Sequence, residues 1–344
     1  MIELDPISLR EVNQPDRQQV QLDVVQAVQA NPEHFFNKYE ADSRSFGGRY
    51  VCADLFKETF PQYAESNDSC ARYNQVVHNS AAVLAAAQYK RVLKRAEETQ
   101  LDTVVFLTGI PGAGKTSHIA PSRQLEPHFK MVYEGQLSKP QSGMLKIQQA
   151  LDAGMKVDIV VVHCLPEDAL QNTYKRFGEI GRGASLEVMA EIQGNLPSGL
   201  KDIHEKFGDQ VSLIIVDVRN RAREPLIHTG WDQSHIIHSE GSYENIKQRL
   251  TKQLEADYSA KRITTACYDQ ACGRAPAQQD SLMAATNRAP DPSHEHGRGI
   301  PQGSSQKPLV GVSATPYEAG KTIANLSHAK GPSLSKVAAS RPRM

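Results

Sequence analysis

The sequence predicts an α/β fold in which a parallel β-sheet is covered by helices on both faces. Three continuous apolar runs, TVVFLT at 103–108, VDIVVVH at 157–163 and VSLIIVDV at 211–218, are typical of strands that are buried on both sides. Segments with helical periodicity stand between these runs. Strands that alternate with helices indicate a parallel sheet rather than a meander of hairpins.

The other elements follow from periodicity and from residues that stop helices. Residues 1–48 are predicted to form a mostly helical lead-in, in which Asn31 and Pro32 end one helix. A short strand is predicted at 49–56 and a long helix at 68–98. A Gly-rich turn follows the run at 103–108, and then come a strand at 130–133 and a helix at 142–153. Further helices are predicted at 166–177, 185–207 and 243–258.

Composition changes near the end of the chain. Residues 259–344 contain no Phe or Trp, and Pro, Gly, Ser and Ala dominate. Such a segment cannot bury enough apolar area to offset its ordering entropy, so we predict a disordered tail. The chain is therefore divided into a helical segment at 1–48, a central α/β domain at 49–258 and a tail at 259–344. An export signal or an interaction arm in the mildly basic tail is a secondary hypothesis. The AGKT within 311–322 imitates a phosphate-binding loop, but no buried strand precedes it, so we do not interpret it as one.

Charge and cysteine content exclude several classes of protein. Lys plus Arg and Asp plus Glu both number 39, and this balance argues against a general binder of nucleic acid or anionic membranes. No run approaches the roughly 20 apolar residues that span a bilayer, and the start of the chain lacks the pattern of a secretory signal. The five scattered cysteines do not suggest a disulfide framework. We therefore predict a cytoplasmic protein with no membrane partner.

The strongest motif is a phosphate-binding loop directly after the first apolar run. Its glycines let the backbone N–H groups wrap a phosphate at the start of a helix. Lys115 adds a charge near the β- and γ-phosphates, and the Thr116 hydroxyl can ligate Mg²⁺. The motif predicts a P-loop NTPase-type fold that binds ATP with Mg²⁺, and the absence of an N-K-x-D motif and of a strand ending in Asp-Glu favours a kinase. The predicted binding residues are Gly109, Ile110, Pro111, Gly112, Ala113, Gly114, Lys115, Thr116 and Ser117.

Four charged residues outside the loop are further candidates. Asp54 lies in DLFKETFP, Glu134 ends the strand MVYE, and Arg176 and Arg182 lie in KRF and GRGAS. Two arginines six residues apart, near glycines, can reach over a triphosphate as a lid and neutralise the transferring group. The competing interpretations are a helix cap for Asp54, a strand-end ion pair for Glu134 and solvated charges for both arginines. His163 is interpreted as a core histidine.

Together these patches resemble the zeta-toxin family of P-loop kinases over residues 49–220. The resemblance rests on GIPGAGKT, DLFKETFP, YEGQ, KRF, GRGAS and GNLP. In the family the D-x-F-K patch follows the phosphate loop, whereas here it precedes the loop. We interpret this order as a circular permutation in which the Asp54 strand keeps its place in the sheet.

The resemblance implies a set of roles. Members phosphorylate the 3′-hydroxyl of UDP-N-acetylglucosamine, and relatives act on other nucleotide-like acceptors. Asp54 would be the general base, Glu134 would bind the acceptor, and Arg176 and Arg182 would clamp the γ-phosphate. The implied function is a catalytic kinase of a small nucleotide-like acceptor, most simply a nucleotide sugar, with an antitoxin protein as a partner.

Two alternatives stay open at this stage. One is a kinase that acts on a dinucleotide or on the end of a polynucleotide. The other is an ATP-binding switch or accessory protein without transfer chemistry. A switch needs Lys115 and Thr116 but has no use for Asp54, so the carboxylate distinguishes the two classes.

Overall fold

The structure is a computed structural model, and it describes residues 4–96, 101–120 and 124–274. Its centre is a six-stranded sheet with the order β1-β3-β2-β4-β5-β6, flanked by helices. The predicted P-loop NTPase-type α/β fold is confirmed. Five strands run parallel as predicted, whereas β6, for which the sequence predicts no strand, is antiparallel to β5. The strands are β1 (Tyr50–Cys52), β2 (Thr103–Thr108), β3 (Phe129–Glu134), β4 (Lys156–His163), β5 (Val211–Asp217) and β6 (Leu226–Thr229).

The place of β1 determines what meets at the carboxyl edge of the sheet. Although β1 comes first in the chain, it pairs in parallel with β3, and β3 pairs with β2. Glu134 is in register with Cys52 on one side and with Leu107 on the other. The chain segments that follow β1, β2 and β3 therefore emerge side by side.

Twelve α-helices surround the sheet in the described ranges. Some of them begin at a side-chain cap: Asn31, Ser185 and Ser242 each accept a backbone hydrogen bond in the first turn of the helix that follows. Short 3₁₀ segments cover Ser43–Ser45, Gly208–Gln210 and Trp231–Glu240. The helices are α1 (Pro15–Ala30), α2 (Pro32–Ala41), α3 (Ala53–Lys57), α4 (Pro61–Ala64), α5 (Asn67–Tyr73), α6 (His78–Lys94), α7 (Lys115–Ile119), α8 (Gln141–Asp152), α9 (Pro166–Ile180), α10 (Leu186–Phe207), α11 (Tyr243–Ser259) and α12 (Thr265–Ala271).

Two predicted elements before the phosphate loop differ from the structure. The strand predicted at 49–56 ends at Cys52, and α3 begins at Ala53, so Asp54 lies in the first turn of a helix. The helix predicted at 68–98 is two helices, α5 and α6, which a break at 74–77 separates. The break contains no Gly or Pro, and apolar residues at helical spacing run through it. The sequence therefore carries no signal for a helix end at this point.

The N-terminal lead-in shares its core with the rest of the protein. Tyr39 of α2 stacks on Phe56 of α3 at a ring distance of 3.6 Å, and its hydroxyl donates to the carbonyl of Tyr50 at 2.5 Å. Phe36 also packs edge-on against Phe56. The helical prediction is confirmed for this segment, but the proposed boundary at residue 48 does not separate two cores.

The segment predicted to be a tail begins with a helix. The Thr264 side chain caps α12, and Cys267 and Ala271 are buried, so the prediction of disorder from 259 is wrong for this part. Residues 275–344, with the AGKT at 311–322, lie outside the described residues. In the described ranges no helix is both long and apolar enough to cross a membrane. All five cysteines are free.

Candidate functional site

The phosphate loop needs its glycines for two reasons. Gly109, Gly112 and Gly114 have φ angles of 137°, 88° and 81°, which disfavour residues with a Cβ. A Cβ on Gly109 would lie 2.4 Å from the carbonyl oxygen of Val162, and one on Gly112 would lie 2.3 Å from that of Ala169. The loop is therefore pressed against the end of β4 and the start of α9.

The loop lysine is held at the mouth of the loop. The Lys115 ammonium donates to the carbonyls of Gly109 at 3.1 Å and Ile110 at 3.3 Å, and it lies 3.4 Å from Glu134 Oε1. The Asn172 amide donates to the Gly112 carbonyl at 2.8 Å and ties the loop to α9. Only 13% of the Lys115 side chain is exposed, so its charge is directed at the loop rather than at bulk water.

A buried tyrosine connects the loop with Glu134. The Tyr50 phenol donates to Glu134 Oε2 and lies 3.1 Å from Thr116 Oγ1. Burial, and next the nearby Glu134 carboxylate, raise the pKa of Tyr50 well above its ordinary value. No sequence pattern marks Tyr50 as a site residue, because one tyrosine in a short apolar strand belongs to no motif.

Asp54 faces three cations. Its carboxylate lies 2.9 Å from Lys57 Nζ, 2.9 Å from Arg182 Nη2 and 3.9 Å from Arg176 Nη2. Partial burial would raise the pKa of Asp54, but Lys57 and the two arginines outweigh it and hold the pKa well below the ordinary range. Asp54 is therefore a charged hydrogen-bond acceptor at neutral pH. The (i, i+3) spacing of Asp54 and Lys57 is a signal that could have identified this partner from the sequence.

Arg182 continues this network to the N-terminal segment. Its second amino group, Nη1, lies 2.8 Å from Glu58 Oε1, and Glu58 Oε2 lies 2.6 Å from Arg44 Nη2. The Arg182 side chain is only 13% exposed. Two carboxylates thus bind its guanidinium at the edge of the cavity. Neither Glu58 nor Arg44 belongs to a sequence pattern that marks it as a candidate.

Nine of the thirteen candidate residues line one cavity of about 460 Å³. Residues of the phosphate loop and of the Asp54 network both line it, and so do Glu134 and Tyr50. Four loop residues, Gly109, Ile110, Pro111 and Ala113, do not line the cavity, and Ile110 and Ala113 are buried behind the loop. The predicted residues that do line it are Asp54, Gly112, Gly114, Lys115, Thr116, Ser117, Glu134, Arg176 and Arg182.

The donor set fits Mg²⁺ carried by a triphosphate. Thr116 and Glu134 present oxygen atoms to the cavity, and the described residues hold no group of three His, Cys, Asp or Glu side chains arranged for a metal. Mg²⁺ usually keeps several waters and takes only one or two protein ligands beside the phosphates. Thr116 is therefore the protein ligand that this chain would supply, with the phosphates completing the set.

His163 does not belong to the site. It is buried at the end of β4, where its Nδ1 lies 3.3 Å from Gln193 Nε2. Burial, and next the nearby Arg219, lower its pKa to about 4. It does not line the cavity, which agrees with its interpretation as a core histidine.

Comparison with known proteins bears on the same residues. Residues 120–229 match the family model described as Zeta toxin, and this match confirms the resemblance predicted from the motifs. The matched range contains Glu134, Arg176 and Arg182, whereas the phosphate loop and Asp54 precede it. No curated protein matches the chain.

Two solved structures are similar at low identity. One is from the PezAT chromosomal toxin-antitoxin system of Streptococcus pneumoniae, with 10% identity, a TM-score of 0.38, and coverage of 72% of this chain and 98% of that chain. The other is from the AvrRxo1-ORF1:-ORF2 complex, with 13% identity, a TM-score of 0.36, and coverage of 78% and 92%.

Proposed function

We propose that the chain is an ATP- and Mg²⁺-dependent kinase that transfers the γ-phosphoryl group to a hydroxyl of a small nucleotide-like acceptor. The acceptor that the family resemblance favours is a nucleotide sugar such as UDP-N-acetylglucosamine. One observation carries the proposal: Lys115 and Thr116 share a cavity with Asp54, Arg176 and Arg182. An ATP-binding switch would need Lys115 and Thr116, but it would have no use for Asp54 and the two arginines.

The donor end of the proposal rests on the loop. Backbone N–H groups at the start of α7 and the Lys115 ammonium would hold the β- and γ-phosphates. Thr116 would ligate Mg²⁺, which when bound neutralises charge that develops on the phosphates. The Lys115 ammonium now donates to the carbonyls of Gly109 and Ile110. With ATP bound it would donate to the phosphates instead, because their charge makes them stronger acceptors.

The acceptor end rests on Asp54. Its carboxylate would take the proton of the acceptor hydroxyl while that oxygen bonds to the γ-phosphorus and the bond from this phosphorus to ADP breaks. Arg176 and Arg182 would turn from Asp54 toward the phosphates. Their departure would raise the pKa of Asp54 toward its ordinary value, since both now lower it, and would make Asp54 a better base. Glu134 would bind the acceptor.

The experiment is the transfer of γ-labelled phosphate from ATP to a panel of acceptors. The panel contains nucleotide sugars, dinucleotides and oligonucleotide ends, and the Lys115→Ala variant provides the blank. The proposal predicts label in a nucleotide sugar. Label in a dinucleotide or an oligonucleotide would replace the acceptor class, and ATP binding without label in any acceptor would favour the switch.

The resemblance also implies an antitoxin protein. A protein that co-purifies with this chain from its source cells and stops the transfer reaction would meet that description. Failure of every co-purifying protein to change the transfer rate would remove this part of the proposal.

A further inference from the structure

The Tyr50 phenol lies where three elements of the site meet. Tyr50 belongs to β1 and is only 3% exposed. Its hydroxyl contacts Glu134 at the end of β3 and Thr116 in the first turn of α7. A phenylalanine would fill the same space, so the hydroxyl needs an explanation beyond packing.

The directions of the hydrogen bonds follow from the donors and acceptors present. An ionised carboxylate only accepts, and a phenol has one proton to give. Since Tyr50 donates to Glu134, it has no proton left for Thr116. The bond of 3.1 Å between the two hydroxyls therefore runs from Thr116 O–H to the Tyr50 oxygen.

This direction matters for a hydroxyl that ligates a cation. Such a hydroxyl gives a lone pair to the metal and must place its proton on another acceptor. Because Thr116 donates its hydrogen bond to the Tyr50 oxygen, the lone pairs of the Thr116 hydroxyl remain available to a cation in the cavity. Glu134 is the final acceptor in this series of two hydrogen bonds. Its other oxygen lies 3.4 Å from the Lys115 ammonium, which holds the carboxylate in place.

We propose that Tyr50 is a positioning residue that orients the Thr116 hydroxyl toward the Mg²⁺ of the bound nucleotide, with Glu134 as its anchor. The inference rests on the proposed function in that ATP must bind at the loop with Mg²⁺. Through Tyr50, β1 would thus help to organise the ATP-binding part of the site, although β1 precedes the phosphate loop in the chain.

The test is the Mg²⁺ dependence of nucleotide binding in Tyr50→Phe, measured by calorimetry with a non-hydrolysable ATP analogue. The Mg²⁺ concentration for half-maximal binding should rise about 5- to 30-fold, the effect expected from one hydrogen bond within a charged network. Affinity for the analogue without Mg²⁺ should stay unchanged. Tyr89→Phe is the matched control, because Tyr89 is also buried and its hydroxyl donates to the Lys146 carbonyl outside the cavity.

A double variant separates positioning from a structural effect. If Tyr50 acts through Thr116, Tyr50→Phe combined with Thr116→Val should bind Mg²⁺ no more weakly than Thr116→Val alone. Additive losses would overturn the inference, and so would an unchanged Mg²⁺ response in Tyr50→Phe when Thr116→Val weakens it. If Thr116→Val also leaves the response unchanged, the metal site of the proposed function fails together with the inference.

Discussion

Replacing Asp54 by Asn should stop phosphoryl transfer while leaving ATP binding nearly intact. Asn keeps the size and hydrogen-bonding shape of the side chain but cannot take a proton from an acceptor hydroxyl. The ion pairs of Asp54 are with Lys57, Arg176 and Arg182 rather than with residues of the loop that would hold ATP. General-base catalysis contributes about 10²- to 10⁴-fold, so transfer should fall by that factor.

The structure also gives the expected effect on stability. The Lys57 side chain is only 4% exposed, and Asp54 supplies its countercharge at 2.9 Å. Breaking a fully buried pair costs about 3–5 kcal/mol. Asp54 is 42% exposed, and Lys57 keeps its hydrogen bond to Asn74 Oδ1 at 2.8 Å. We therefore expect a loss of about 1–2 kcal/mol, since solvent screens the exposed partner.

The assay compares transfer rate, ATP affinity and urea unfolding in Asp54→Asn and Asp257→Asn. Asp257 is the control because, like Asp54, it pairs closely with a cation, Arg262 at 2.6 Å, but does not line the cavity. Its variant should lose stability and keep its transfer rate. If Asp54→Asn transferred phosphate within about twofold of the parent rate, Asp54 would not be the base, and the assignment of the carboxylate–arginine set would be wrong.

Three further predictions concern the loop, the lid and the core. Lys115→Ala should abolish ATP turnover with an unchanged circular dichroism spectrum, and turnover at the parent rate would refute the loop assignment. Arg176→Ala should slow transfer by up to roughly 10³- to 10⁵-fold if Arg176 stabilises the transition state, whereas an unchanged rate would show that it is a surface charge. Because the folded pKa of His163 is lowered to about 4, its contribution to stability is present above about pH 6.5 and falls, by up to about 3 kcal/mol, as pH drops toward 4. Urea unfolding at about pH 7 and about pH 4.5 should show a smaller pH effect in His163→Gln, and an equal effect would refute this assignment.

The parts of the fold that the sequence predicts well are those with a strong local cause. Continuous apolar runs predict β2, β4 and β5 because a strand buried on both faces needs them. The phosphate loop is predicted almost residue by residue, since its glycines avoid clashes with the carbonyls of Val162 and Ala169. In contrast, β6 has the sequence LIHT with no buried residue, and no local pattern distinguishes it from a loop.

The parts of the site that the sequence misses depend on long-range contacts. Tyr50 and Thr116 are 66 residues apart, and Glu58 and Arg182 are 124 residues apart. Nothing in the local sequence of Tyr50 or Glu58 indicates these partners, which the fold brings together from distant parts of the chain. Asp54 is a candidate from its sequence patch and takes its role from the family resemblance, but the patch predicts a strand where Asp54 lies in the first turn of α3.

The central claim is that the chain transfers the γ-phosphoryl group of ATP to an acceptor hydroxyl. It is tested most directly by measuring ADP and phosphorylated acceptor in the same reaction, for example by ³¹P NMR of a mixture of the chain, ATP, Mg²⁺ and a nucleotide sugar. The account predicts a new phosphomonoester on the acceptor in an amount equal to the ADP formed, and neither product with Lys115→Ala. ADP accompanied only by inorganic phosphate, with every class of acceptor in the panel, would contradict it.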